Sequence, residues 1–224
     1  MGCSSVSDPR LSILIPSIEE RKGSFLKRIL GEVGRQTSPY GEQIEVLTLI
    51  DNREISIGEK RNRLLDMANG EFLVFIDDDD RIAPEYTSEI MNAISNVDPL
   101  DCIVYDCLCT ITGTNGNITA RLHCKYGVEY GYTNDRRGNW RGKPAHTMVW
   151  RSEIAKRHRY PHTSAGEDVD WVRRACVEIS HQHRIDKVLY FYDNDVRLSS
   201  SAPGTRWRQK HPDAARALLD EIEP

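Results

Sequence analysis

Leu11-Ser12-Ile13-Leu14-Ile15 is a β-rich run closed by Pro16, and it predicts a first strand. Residues 24–36 place Phe25, Ile29, Leu30 and Val33 at helical spacing. Ile44 to Ile50 predicts a second strand that ends at Asp51. Residues 58–68 read as a helix with Leu64, Leu65 and Ala68 on one side, stopped by Gly70. Phe72 to Ile76 is an unbroken apolar run, the pattern of a strand buried on both faces, and it leads straight into Asp77-Asp78-Asp79-Asp80. Pro84 then opens a helix with Ile90, Ala93 and Ile94 inward.

This β-α-β-α alternation predicts an α/β fold with a mostly parallel central sheet and helices on both sides. Ligands of such sheets bind beyond the carboxyl ends of the strands. Ser17, Asp51 and Asp77 to Asp79 stand at three such ends, so the fold itself is expected to gather them. The second half is less regular. Residues 101–112 predict a strand, and 116–124 pair with it after the turn Thr114-Asn115-Gly116-Asn117. Residues 126–145, rich in Gly, Asn, Arg and Tyr, suggest a long functional loop. Thr147 to Trp150 and Val188 to Tyr192 read as strands, and Gly166-Glu167-Asp168 precedes a helix through about Ile179. Ser199 to Gly204 reads as a flexible link, and 212–222 as a short amphipathic helix.

Composition narrows the classes. The chain has 224 residues, 39% hydrophobic and 29% charged, enough for a sizeable core and too apolar for disorder. The longest purely apolar run is Phe72 to Ile76, far short of the roughly 20 residues of a membrane-spanning helix. The first ten residues lack the apolar segment of a secretory signal. Met1-Gly2-Cys3-Ser4-Ser5-Val6 has Val6 where N-myristoylation calls for Ser or Thr, so a disordered tail over 1–9 is expected. The six cysteines have no Cys-x-x-Cys pair. Cys107, Cys109, His123 and Cys124 fit no familiar zinc spacing, and buried reduced thiols of a cytoplasmic protein are the plain reading.

The net charge of -4 is unevenly spread. Residues 1–120 carry a net -9, whereas 121–187 carry a net +6 and six histidines. A basic stretch attracts a polyanion or a diphosphate, or simply forms a solvated surface. The acidic run carries more chemistry. Four aspartates in a row raise one another's pKa, and a divalent cation relieves that. Their hard oxygens suit Mg²⁺ or Mn²⁺, often held by one or two carboxylates plus substrate phosphates. A solvated acidic loop, or a cap for the helix at Pro84, is the structural alternative.

Gly70-Glu71-Phe72-Leu73-Val74-Phe75-Ile76-Asp77-Asp78-Asp79-Asp80 resembles the Asp-x-Asp segment of family 2 glycosyltransferases. Leu11 to Ser17 resembles that family's first strand, and Ile44 to Asp51 its second, which ends in an Asp that reads the nucleotide base. Gly58-Glu59-Lys60-Arg61-Asn62 resembles its Gly-x-x-Arg-Asn helix start, and Gly166-Glu167-Asp168-Val169-Asp170-Trp171 its Glu-Asp catalytic motif. The five segments occur in the family's order over roughly 10 to 192.

The resemblance implies a GT-A fold in one domain over 10–198, with a nucleotide-sugar half at 10–112, an acceptor half at 113–198 and a C-terminal appendage at 199–224. It also implies inversion at the anomeric carbon with no covalent intermediate. Asp51 would accept a hydrogen bond from the base, and Pro16 and Ser17 would line the base pocket. Arg61, and more weakly Lys60, would contact base or phosphate. Asp79 and Asp77 would hold the metal, Mn²⁺ or Mg²⁺, with Asp79 the direct ligand. Asp78 would face ribose or sugar. Asp168 would be the general base and Glu167 would orient the acceptor; a carboxylate at a helix start is the structural alternative for Asp168. Trp140, His146 and Trp150 are weaker acceptor candidates. Arg206-Trp207 is similar to the Arg-Trp of a Gln-x-x-Arg-Trp motif, with Pro203 where the Gln would stand, and Arg206 could close over the diphosphate.

The implied donor is a nucleoside-diphosphate sugar, and Asp51 is compatible with a UDP-sugar. The acceptor stays open: a glycan, a lipid-linked sugar, a protein, a small molecule, or a hydroxylated base in DNA. Two other readings remain. A nucleotidyltransferase would show a Gly-rich phosphate loop after the first strand, where Ser17-Ile18-Glu19-Glu20-Arg21-Lys22-Gly23 has one glycine. A non-catalytic nucleotide-sugar-binding module would keep Asp51 and dispense with Asp168.

Overall fold

A computed structural model describes residues 8–113, 116–124, 139–142 and 144–195. The expected appendage at 199–224 and the start of the expected tail lie outside them. Pro9 already belongs to the fold, because its carbonyl accepts the Glu71 amide at 3.0 Å.

Strand β1 (Leu11–Ile18) lies between β2 (Ile44–Asp51) and β3 (Phe72–Phe75) and is parallel to both. Pro16 does not end β1; it pairs in register with Leu49. The reason lies in the ladder. The Leu14 carbonyl accepts the Ile76 amide, so Leu14 and, two residues on, Pro16 direct their backbone groups toward β3. Strand β3 has ended by then, and the missing proline N–H costs no ladder bond. Ser12 is buried among the apolar residues of β1 because its hydroxyl is doubly used: it donates to Glu45 at 2.5 Å and accepts the Gly70 amide at 2.8 Å. Gly70 fits there because a Cβ would stand 2.6 Å from the Ser12 nitrogen.

After β1 the chain forms a 3-10 turn (Glu19–Arg21) and a π-helical turn (Lys22–Leu26) before helix α1 (Lys27–Thr37), a later start than the apolar spacing suggested. Helix α2 (Ile57–Met67) is capped by the Ser56 hydroxyl, which accepts the Glu59 amide at 3.2 Å. Strand β4 (Arg81–Ile82) precedes α3 (Tyr86–Asn96), whose first turn is tied to α1: the Gln36 side chain accepts the Thr87 amide and donates to the Ala83 carbonyl.

The second half brings antiparallel pairing. Strands β5 (Cys102–Gly113) and β6 (Gly116–Cys124) form the expected hairpin, and β7 (Asn139–Gly142) runs parallel to β6 inside the stretch expected as loop. Strand β8 (Val149–Arg151) is antiparallel to both β3 and β5 and so joins the two halves. Helices α4 (Ser152–Arg157) and α5 (Glu167–Ala175) follow. Strand β9 (Gln182–Asp195), longer than its apolar centre suggested, is parallel to β5 and antiparallel to β4. Among the described residues these nine strands form a single sheet.

Four aromatic rings bind the halves together. Phe75 meets Tyr160 edge-on, Tyr160 stacks on Trp171 at 5.0 Å, and Trp171 meets Trp150 edge-on at 4.9 Å. The chain of rings runs from β3 to α5, and so from the acidic strand end to the helix that carries Asp168. Cys102, Cys107, Cys109 and Cys176 are buried. No helix among the described residues is long and apolar enough to cross a membrane.

Candidate active site

The register places Ile18 beside Asp51 and brings the carboxyl ends of β1 and β2 level. Lys60, buried on α2, closes that edge: its ammonium pairs with Asp51 and donates to the Ser17 carbonyl at 2.5 Å. The Ile55 amide donates to the other Asp51 oxygen at 3.0 Å. Burial raises the Asp51 carboxyl, but Lys60 and the backbone amides outweigh it and hold it below the ordinary value. Pro16 is buried against this edge. Lys60, expected toward base or phosphate, is thus engaged with Asp51.

The same helix carries Arg61 to the acidic strand end. Arg61 Nη2 lies 3.0 Å from Asp77, Nη1 lies 3.2 Å from Glu167, and the guanidinium is 5.7 Å from the ring centres of both Phe75 and Tyr160. The helix approaches closely enough because Gly58 has no side chain: a Cβ there would stand 1.9 Å from the Pro161 carbonyl oxygen. Asn62 completes the docking. Its side chain donates to the Tyr160 carbonyl at 2.9 Å and accepts the Tyr160 amide at 2.8 Å. Arg61, expected at base or phosphate, is buried between two carboxylates.

Residues 160–163, held in this way, lead to Gly166, which turns the chain at φ 76° into α5. Glu167 and Asp168 are that helix's first two residues. His146 is buried between the two sides of the site, with Nε2 3.4 Å from Asp77 and Nδ1 3.6 Å from Asp168. Burial raises the Asp77 carboxyl, yet Arg61 and His146 beside it hold it well below the carboxylate range. Glu167 shifts the other way: burial and the neighbouring Asp168 raise it against the pull of Arg61.

The remaining aspartates have different partners. Asp78 accepts from the Ser17 hydroxyl at 2.5 Å and from Arg21 Nη1 at 2.7 Å. The same Arg21 nitrogen lies 3.0 Å from Asp79. Arg28 donates to the Asp79 and Asp80 carbonyls at 2.8 and 2.9 Å, and both arginines lie over the Phe25 ring. Tyr190 on β9 donates to Asp80 and accepts the Asp77 amide, fixing the run from beneath. Arg21 and Tyr190 were not singled out from sequence, and Asn62 was read only as part of the Gly-x-x-Arg-Asn motif. Arg21 sits in a stretch read only for its lack of glycines, and Tyr190 is hidden in an apolar strand.

The side chains of Asp77, Asp78 and Asp79 are 24%, 3% and 37% exposed. Asp77 faces Arg61 and His146, so a cation arriving from solvent meets Asp79 first. Among the described residues no three His, Cys, Asp or Glu side chains cluster to hold a metal by themselves. The donor set fits an ion held by Asp79 and completed by substrate phosphates and water. Trp150 is a correction to the acceptor candidates: its ring is fully buried and its indole N–H donates to the Ala145 carbonyl at 3.1 Å. Arg206 lies outside the described residues, as does the side chain of Trp140. Among the described residues of the basic stretch, Arg151, Arg159 and Arg184 pair with carboxylates outside it, and Arg157 and Arg174 with carboxylates inside it.

A sequence profile described as Glycosyl transferase family 2 matches residues 23–159. The chain belongs to glycosyltransferase family 2. The family match spans Asp51, Lys60, Arg61 and the aspartate run and stops short of Glu167 and Asp168. Solved structures of S. aureus TarS share the fold. In complex with UDP-GlcNAc, TarS 1-349 is 18% identical with a TM-score of 0.55, over 88% of this chain and 61% of that one. In complex with UDP it is 19% identical with a TM-score of 0.51, over 84% and 61%. The chain spans about three fifths of TarS 1-349 and 36% of the longer TarS structure. No curated protein sequence matches it. The family and the likeness together assign the GT-A architecture to this sheet.

Proposed function

We propose that the chain moves a sugar from a nucleoside-diphosphate donor, a UDP-sugar, to an acceptor hydroxyl with inversion at the anomeric carbon. One observation carries the reading. His146 spans from Asp77 at the end of β3 to Asp168 at the start of α5, so a carboxylate beyond the family match stands beside the acidic strand end. Family membership supports it, as does the fold shared with TarS structures that hold UDP-GlcNAc and UDP.

In this reading Asp168 takes the proton of the acceptor hydroxyl as its oxygen bonds to the anomeric carbon. The bond from that carbon to the diphosphate breaks, and its electron pair leaves with the nucleoside diphosphate. Glu167 and Arg61 fix the start of α5, so the base keeps its distance from the donor. Asp51, ionised and held by Lys60, faces the base, with Pro16 and Ser17 beside it. Asp79 would hold Mn²⁺ or Mg²⁺ with the diphosphate oxygens; such an ion supplies Lewis-acid stabilisation of the leaving group. The six cysteines, with no Cys-x-x-Cys pair, suit a reducing compartment, and we place the protein in the cytoplasm.

The test is calorimetric titration with UDP, GDP, ADP, CDP and their sugar conjugates, with and without Mn²⁺, using Asp79→Ala as control. The expected result is binding of one nucleotide that depends on manganese and is lost in the variant. A folded protein that binds none of them contradicts the proposal.

A further inference from the structure

The proposed function gives Arg21 no role. Arg21 lies just beyond the carboxyl end of β1, on the turn that leads into the π-helical segment. Its guanidinium bridges Asp78 and Asp79 at 2.7 and 3.0 Å. It therefore stands where the charge of a divalent cation and a diphosphate would meet the acidic run. We propose that Arg21 is an exchangeable counter-cation of this site: it neutralises Asp79 in the empty protein and passes to the donor diphosphate when a divalent cation takes that carboxylate. The inference rests on the glycosyltransferase reading and adds a donor-binding residue to it.

Three observations support exchange over a fixed structural pair. Asp78 keeps a second partner, the Ser17 hydroxyl, so the buried carboxylate still accepts a hydrogen bond when Arg21 leaves. The aspartate run is also anchored without Arg21, through Arg28 on its carbonyls and Tyr190 on Asp80. Arg21 is itself partly exposed and rests on the Phe25 ring, from which a guanidinium can swing without crossing the core. The chemistry favours the swap. A doubly charged ion outcompetes a guanidinium for one carboxylate, and the freed planar fork matches phosphate oxygens bidentately.

The test is Mn²⁺ binding followed by electron paramagnetic resonance, first alone and then with UDP, GDP, ADP or CDP. The proteins are the wild type, Arg21→Gln, Arg21→Lys, and Lys22→Gln as a neighbour that loses the same charge from an exposed pair with Glu19. Arg21→Gln is expected to bind Mn²⁺ alone about five-fold more tightly, because the competitor is gone. It is expected to bind the nucleoside diphosphate with Mn²⁺ about ten-fold more weakly, because a charge-assisted phosphate contact is lost. Arg21→Lys falls between, and Lys22→Gln matches the wild type. Wild-type behaviour of Arg21→Gln in both measurements overturns this inference alone. Equal changes in Arg21→Gln and Lys22→Gln also overturn it, by reducing the effect to general charge. Failure of the wild type to bind any nucleotide overturns the glycosyltransferase reading and this inference with it.

Discussion

Two arginines pair with the carboxylates of the aspartate run, and they do so from different surroundings. Arg61 is 5% exposed and wedged between two aromatic rings, and its carboxylate partners come from opposite halves of the fold. Arg21 is 21% exposed, sits on a short turn, and shares its carboxylates with a serine and with solvent. The inner pair is part of the architecture, because Arg61 is itself buried and ties together carboxylates from both halves. The outer pair can be replaced by a ligand of like charge. The chain thus builds a rigid inner wall and an exchangeable outer one along the same strand end.

The sharpest way to break this comparison is to delete each arginine in turn. Arg61→Ala strands Asp77 and Glu167 and is expected to cost about 3–5 kcal/mol, lowering Tm by roughly 10 °C. Arg21→Ala leaves the buried Asp78 its Ser17 hydrogen bond and is expected to cost about 1–2 kcal/mol. Urea unfolding of the two variants measures both, and equal losses would dissolve the distinction. A smaller effect tests how the inner wall is docked. Gly58→Ala places a methyl 1.9 Å from the Pro161 oxygen and is expected to cost about 2 kcal/mol, with α2 forced away from residues 160–163. An unchanged midpoint would mean that this approach is not what seats Arg61.

The smallest effect concerns pH. Asp77 and Glu167 flank the same guanidinium, yet Asp77 is held below the ordinary carboxylate value and Glu167 above it. The Asp77 contribution is therefore complete above the unfolded carboxylate pKa and is lost only as pH falls through the lower folded value. Glu167 has the opposite sign. The folded state holds its proton longer, so stability declines as pH rises through the interval above the ordinary glutamate value. Relative to wild type, Glu167→Gln should gain stability as pH rises through that interval, read from urea midpoints. A difference that is flat with pH would place Glu167 on the same footing as Asp77.

Much of the cluster at the strand ends was legible in the sequence because regular strands fix where their ends fall. Phe72 to Ile76 read as a buried strand, and the run after it had to emerge at the carboxyl edge beside Ser17 and Asp51. The side chains' partners were not legible. Lys60 and Arg61 follow one another on α2, and sequence pointed both toward the nucleotide. Packing sends one to Asp51 and the other to Asp77 and Glu167. Trp150 looked available to an acceptor because an aromatic residue near a loop gives no sign of its direction; β8 turns it into the core. His146 was read as a weak acceptor candidate, and its place between Asp77 and Asp168 depends on a strand that joins both halves. Pro16 looked like a strand end, and only the early finish of β3 explains why it is not.

The central claim is that Asp168 performs chemistry at a donor site assembled around Asp77 to Asp79. The most direct measurement compares wild type and Asp168→Asn in two assays with the same nucleotide sugar: calorimetric binding with Mn²⁺, and release of the nucleoside diphosphate. The account predicts binding within about two-fold of wild type and release slowed on the order of 10³-fold, the scale of a lost general base. Release at the wild-type rate with binding intact would contradict it, and would leave a nucleotide-sugar site whose chemistry does not run through Asp168.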